Sequence, residues 1–154
     1  MLNRFFPAQF DNRFPGHKAG LWLFGVTVAL KLLIGLRSIV SAREVAQGAD
    51  GIPLDTFPAA TAQQVVSIFG LLGLLHVTMA LVCVAALVRY RAMIPLLFAV
   101  LLFERLGRKA IITFLPGATP VPGAPGAIVG LVLTTLLIAG LALSLWPPHS
   151  ARAE

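Results

Sequence analysis

Four runs of about twenty mostly apolar residues decide what this chain can fold into. They cover residues 21–40, 61–88, 92–115 and 127–146. A helix crossing a hydrocarbon core of ~30 Å needs roughly 20 such residues. Strands of a membrane barrel alternate apolar and polar side chains, and these runs do not. In lipid the backbone amides must bond within their own segment, so the runs are expected to be helices. Composition points the same way. Of 154 residues, 58% are hydrophobic and 12% charged, with a mean hydropathy of +0.90, against about 45–50% and about 25% in soluble domains. The sequence therefore predicts an all-α polytopic membrane protein, a four-transmembrane-helix bundle. Residues 1–20 form a cytoplasmic N-terminal segment and 147–154 a cytoplasmic tail.

The connections differ in kind. Arg89-Tyr90-Arg91, with Pro95 soon after, predicts a tight hairpin between spans two and three, because proline is tolerated in the first helical turn. Residues 116–126 hold four prolines and three glycines, which predicts an extended, uncharged surface loop. The loop over 41–60 is the longest and carries Arg43, Glu44, Asp50 and Asp55. Asp50-Gly51 is expected to reverse the chain there. Thr61 and Gln64 have the spacing of a capping box for span two.

Orientation follows from the lysine and arginine bias. With the N-terminus cytoplasmic, the inner side carries a net charge of +4 and the outer half +1. Trp22, Tyr90 and Trp146 then share the inner interface. The first span has the length of a signal-peptide core and small residues at 40–42. About twenty residues precede it, however, and Lys31 and Arg37 interrupt it, so it is read as a retained span.

The ionisable residues within the spans are the most specific feature. At about 1.5 Å per residue, Lys31 lies roughly 15 Å along span one. His76 and Glu104 lie roughly 18 Å from the inner ends of spans two and three. A charge at that depth costs about 2.5–3.5 kcal/mol on insertion scales, so these groups are expected to face inward and find partners. Lys31 with Glu104 is the expected pair, with His76 within reach. One reading is an ion pair that fixes helix register. The other is a proton relay or ligand-contact site.

Glu104-Arg105-Leu106-Gly107-Arg108-Lys109 adds a second tier, with Glu104 and Arg108 spaced as an i,i+4 pair. Arg105, Arg108 and Lys109 need anions. Asp50 and Asp55 of the first loop are candidates, as is Glu44, with the loop folding inward as a lid. A lipid phosphate or small anionic ligand is the other candidate. Thr27, Lys31, Gly35 and Ser38 share one face of span one. Ser67, Gly70, Gly73 and His76 recur at spacing three on span two, and Gly130 and Thr134 form a small pair on span four. Small residues let membrane helices approach closely.

Other chemistries lack their residues. His76 is the one intramembrane histidine, so bis-histidine haem ligation is excluded. A metal site would rest on His76 and Glu104 alone, and none is expected. Cys83, the single cysteine, sits in an apolar stretch and reads as a small hydrophobe. No phosphate loop, nucleophile elbow or zinc-protease motif occurs, so no catalytic residue and no cofactor is assigned. The basic residues are dispersed over loops and helices, which suits a bilayer with anionic headgroups and not nucleic acid.

Lys31 and Gly35, the Asp50-Gly-Ile-Pro-Leu-Asp55 loop, Gly70 and Gly73, and the Glu104–Lys109 stretch together resemble small bacterial four-span proteins of the broad DoxX-like type. The resemblance covers roughly residues 20–115, and span four matches only by hydropathy. It implies a bacterial inner-membrane location, and association with quinone-linked oxidoreductases in some members, but no catalytic motif. The expected function is a structural or interaction subunit, homo-oligomeric or bound to a membrane partner. The alternatives are a small proton-coupled transporter using the Lys31–Glu104–His76 layer and a redox-complex subunit.

Overall fold

The computed structural model describes residues 11–114 and 125–146, and within them every regular element is helical. Four long helices carry the fold: α1 over Lys18–Val40, α2 over Ala59–Arg89, α3 over Ile94–Phe114 and α4 over Pro125–Leu145. These ranges follow the four apolar runs closely. α1, α2 and α4 are long and apolar enough to cross a membrane. α3 is 21 residues long, about 31 Å, but Glu104, Arg105, Arg108 and Lys109 interrupt its apolar run. Length and composition thus single out three spanning helices where four were expected.

α1 lies at the centre, with α2 along one side and α4 along the other, while α3 packs on α4. One end of the bundle is closed by the segment before α1. His17 caps α1 by accepting from the Ala19 N–H, and its own N–H donates to the Leu143 carbonyl at 3.0 Å. The Ala92 N–H donates to the Asp11 carbonyl. Tyr90 and a 3₁₀ turn over Arg91–Met93 join α2 to α3, with Pro95 the second residue of α3. The tight hairpin expected here is present. Near it lies the main core, with Phe24 and Phe98 edge to face at 5.0 Å among Cys83, Ala86, Ile94 and Leu97. The Phe98 ring fills the space where a Cβ on Gly140 would stand, so that glycine admits an aromatic ring.

The α1–α2 crossing is set by two glycines. A Cβ on Gly73 would meet the Gly35 carbonyl oxygen at 2.8 Å, and one on Gly35 would meet the Gly73 carbonyl oxygen at 3.0 Å. The helices thus touch backbone to backbone, as small residues allow. Gly70 faces open space and takes no part. Thr27, Gly35 and Ser38 are all buried on the same α1 face.

The connection from α1 to α2 is folded. A helical turn over Ala42–Glu44 runs into a π turn over Val45–Ala49, and a 3₁₀ turn covers Leu54–Thr56. Gly51, at φ 70°, makes the reversal expected after Asp50, a conformation that suits glycine. Ala46, Leu54 and Ala62 form a small second core beneath it, joined by Ile52, Phe57 and Phe69. The capping box does not form. α2 starts at Ala59 behind Pro58, whose carbonyl accepts the Ala62 N–H, and Thr61 lies inside the helix. The Pro58 ring presets the backbone for entry two residues earlier. α4 likewise includes Pro125 and Gly126, which were expected in the loop, and proline suits a first helical turn. The rest of that loop, and the tail over 147–154, lie outside the described residues.

Candidate functional site

α2 and α3 pack near their turn and touch little beyond it. A cavity of about 550 Å³ occupies the space between all four helices on the side of the first loop. Its polar wall comes from Lys31, His76 and Glu104 deep inside, and from Arg105, Arg108 and Asp50 nearer the loop. Its apolar wall includes Leu101, Val129, Leu133 and Leu137.

The deep layer forms because the Gly35–Gly73 crossing fixes the register. Lys31 is one turn before Gly35 and His76 nearly one turn after Gly73, so both reach the same level opposite Glu104. Lys31 Nζ donates to Glu104 Oε2 at 2.5 Å. The other carboxylate oxygen, Oε1, lies 3.7 Å from His76 Nε2. The Lys31 and His76 side chains are 12% and 15% accessible, and that of Glu104 is 39%. The carboxylate therefore joins the two bases but keeps a face to the cavity. His76 Nδ1 sits 2.7 Å from the Leu72 carbonyl. A carbonyl only accepts, so Nδ1 carries the hydrogen and neutral His76 presents a bare Nε2 to Glu104. A second proton on Nε2 turns that contact from repulsive to attractive. Lys31 is thus a constant partner of Glu104, and His76 is a partner only when charged.

The second tier sorts itself differently from the i,i+4 spacing. Glu104 turns to Lys31. The Arg105 guanidinium enters the notch that Gly130 leaves on α4, where a Cβ on that glycine would collide with its Nη2. Gly130 thus accommodates a side chain, not a neighbouring helix backbone. Arg108 lines the cavity beside it. Lys109 is exposed and outside the cavity wall.

Of the first-loop acids, Asp50 and Glu44 line the cavity. Asp50 Oδ1 also stands 2.8 Å from the place of a Cβ on Gly126, at the start of α4. Partial burial pushes the Asp50 carboxyl above the ordinary aspartate value, and the Arg108 and Arg105 charges offset this only in part. Asp55 instead accepts from Arg43 Nη2 at 2.9 Å and Gln47 Nε2 at 2.8 Å on the exposed face of the loop. It braces the loop and does not reach Arg105, Arg108 or Lys109.

His76 and Glu104 supply two metal-ligand side chains, and among the described residues no third joins them. Cys83 is fully buried in the main core. The cavity itself, Arg37 at its mouth and the Gly130 notch were not legible in the sequence. The shared face of Thr27, Lys31, Gly35 and Ser38 was the hint of a polar wall on α1, and Thr27, Lys31 and Ser38 all line the cavity. Searches of family models, curated proteins and solved structures find no match to this chain.

Proposed function

We propose that the chain is an integral membrane protein with four spans and both termini cytoplasmic, which binds a small ligand within its helix bundle. The fourth span is supported by the outer face of α3. Phe103 is 79% exposed and Leu106 48% exposed, whereas Glu104, Arg105 and Arg108 line the interior cavity. An outward apolar stripe with inward charges is what a span beside a polar cavity requires. The orientation is supported by Arg13, Lys18, Arg89 and Arg91, which gather at the hairpin end. The resemblance to DoxX-like proteins supports a bacterial inner membrane.

One observation carries the ligand-binding reading: Lys31, His76 and Glu104 open onto a cavity of about 550 Å³, within the size range of small-molecule sites. A layer serving only to lock helices would be sealed by apolar side chains. The ion pair still fixes register, so a subunit role within a larger assembly is compatible with the same site. Leu133 lines the cavity, while its neighbour Val132 is exposed on the outer face of α4. In a Cys83→Ala background, Leu133→Cys should react with a membrane-impermeant maleimide from the extracytoplasmic side, and Val132→Cys should not. A Leu133→Cys protein inert from both sides rules the reading out.

The conditional contact of His76 favours a second reading, proton-coupled transport through the layer. Potential-driven proton uptake into proteoliposomes, lost in a folded Glu104→Gln protein, is its signature. Uptake equal to that of empty liposomes removes it.

A further inference from the structure

Resting on the ligand-binding reading above, we infer that the cavity takes an acidic amphiphile, its phosphate-class headgroup held by Arg105 and Arg108 and its apolar part along Val129, Leu133 and Leu137. Arg105 and Arg108 are half-buried on the cavity face of α3. Among the described residues, neither forms an ion pair within 4.0 Å or donates a side-chain hydrogen bond. The deep carboxylate is already taken by Lys31. Asp50 and Glu44 share the cavity wall with the two guanidiniums, yet neither carboxylate comes within 4.0 Å of them as an ion pair. Two guanidinium forks stand ready for an anion, and each matches a phosphate bidentately. Arg105 is also held in place by the Gly130 notch, so little side-chain freedom is lost on binding.

The apolar part follows from the α4 wall. Val129, Leu133 and Leu137 succeed one another a turn apart, running inward from the level of Arg105, and Leu101 faces them from α3. A charged group at the loop end and an apolar track below it describe an amphiphile, not a free ion. Free phosphate shares the headgroup chemistry, and the test separates the two sources.

The probe is decyl phosphate, titrated calorimetrically into the full chain in maltoside micelles. Decylphosphocholine, with the same tail and a zwitterionic head, and inorganic phosphate are the comparison ligands. Decyl phosphate should bind at least about tenfold more tightly than decylphosphocholine. Arg105→Gln and Arg108→Gln should each weaken it about tenfold or more, the loss of charge-assisted bonds. Gly130→Ala should weaken it comparably with every charge retained, because it evicts the guanidinium from its notch. A flexible side-chain tip is what must yield there, so the fold survives. Lys109→Gln removes the same charge outside the cavity and should leave binding unchanged. Competition by inorganic phosphate at equal concentration would assign the site to free phosphate with the headgroup chemistry intact. Equal binding of the two decyl ligands, or equal effects of Arg105→Gln and Lys109→Gln, would overturn the proposal. The cysteine labelling keeps the readings apart. A reactive Leu133→Cys with arginine-independent binding defeats the ligand class alone, whereas an inert Leu133→Cys defeats the cavity.

Discussion

Replacing Lys31 by Met should damage the bundle more than removing both members of the ion pair. The single change leaves Glu104 with its cavity-facing surface and His76, whose Nε2 is 3.7 Å away and attractive only when protonated. Breaking a fully buried pair costs about 3–5 kcal/mol. The Glu104 side chain is 39% accessible, so solvent in the cavity screens part of that loss, and about 2 kcal/mol is the expected magnitude. For a chain of this size that corresponds to a fall in Tm of about 4–8 °C. Lys31→Met with Glu104→Leu removes the stranded carboxylate and fills the space with apolar atoms, and should recover at least about half the loss. The assay is thermal unfolding in detergent, followed through Trp22 and Trp146, for wild type, both single variants and the double. A double variant as unstable as Lys31→Met, giving no coupling in the cycle, would refute the claim that the two charges hold one another.

Three further outcomes follow from the geometry. Gly73→Ala drives a Cβ against the Gly35 backbone and should cost about 1–3 kcal/mol in the same assay, while Gly70→Ala meets nothing and should be neutral or stabilising by up to about 1 kcal/mol; equal effects would dismiss the glycine crossing. The folded state raises the Asp50 pKa, so its contribution is fully present below the ordinary aspartate value of about 3.9 and lost as pH rises through the higher folded value. Wild type should therefore lose Tm relative to Asp50→Asn as pH is raised from about 3.5, and parallel profiles would contradict the shift. Arg43→Ala breaks a pair whose side chains are 55% and 77% accessible, and should cost under about 1 kcal/mol; a larger loss would mean the loop is an essential brace.

The elements themselves were legible because hydropathy and helical rise are local properties. Each apolar run became a helix within a few residues of its expected limits, and the depths of Lys31, His76 and Glu104 came from counting along each helix. The start of α2 was missed where the geometry of Pro58 outweighed side-chain capping, and that of α4 because Pro125, counted with the loop, opens the helix.

By itself, then, the sequence determined that the chain is helical, that its surface is too apolar for water, and that three ionisable residues share one level. The tertiary structure decided which groups meet. Glu104 prefers Lys31 of another helix to Arg108 on its own, Arg105 occupies a notch on α4, and Asp50 but not Asp55 joins the cavity. Spacing along one helix fixes height and face. Partnership across helices also needs the distance and rotation between axes, set between α1 and α2 by the backbone contact at Gly35 and Gly73, and accompanied between α3 and α4 by the side chains that Gly130 and Gly140 admit.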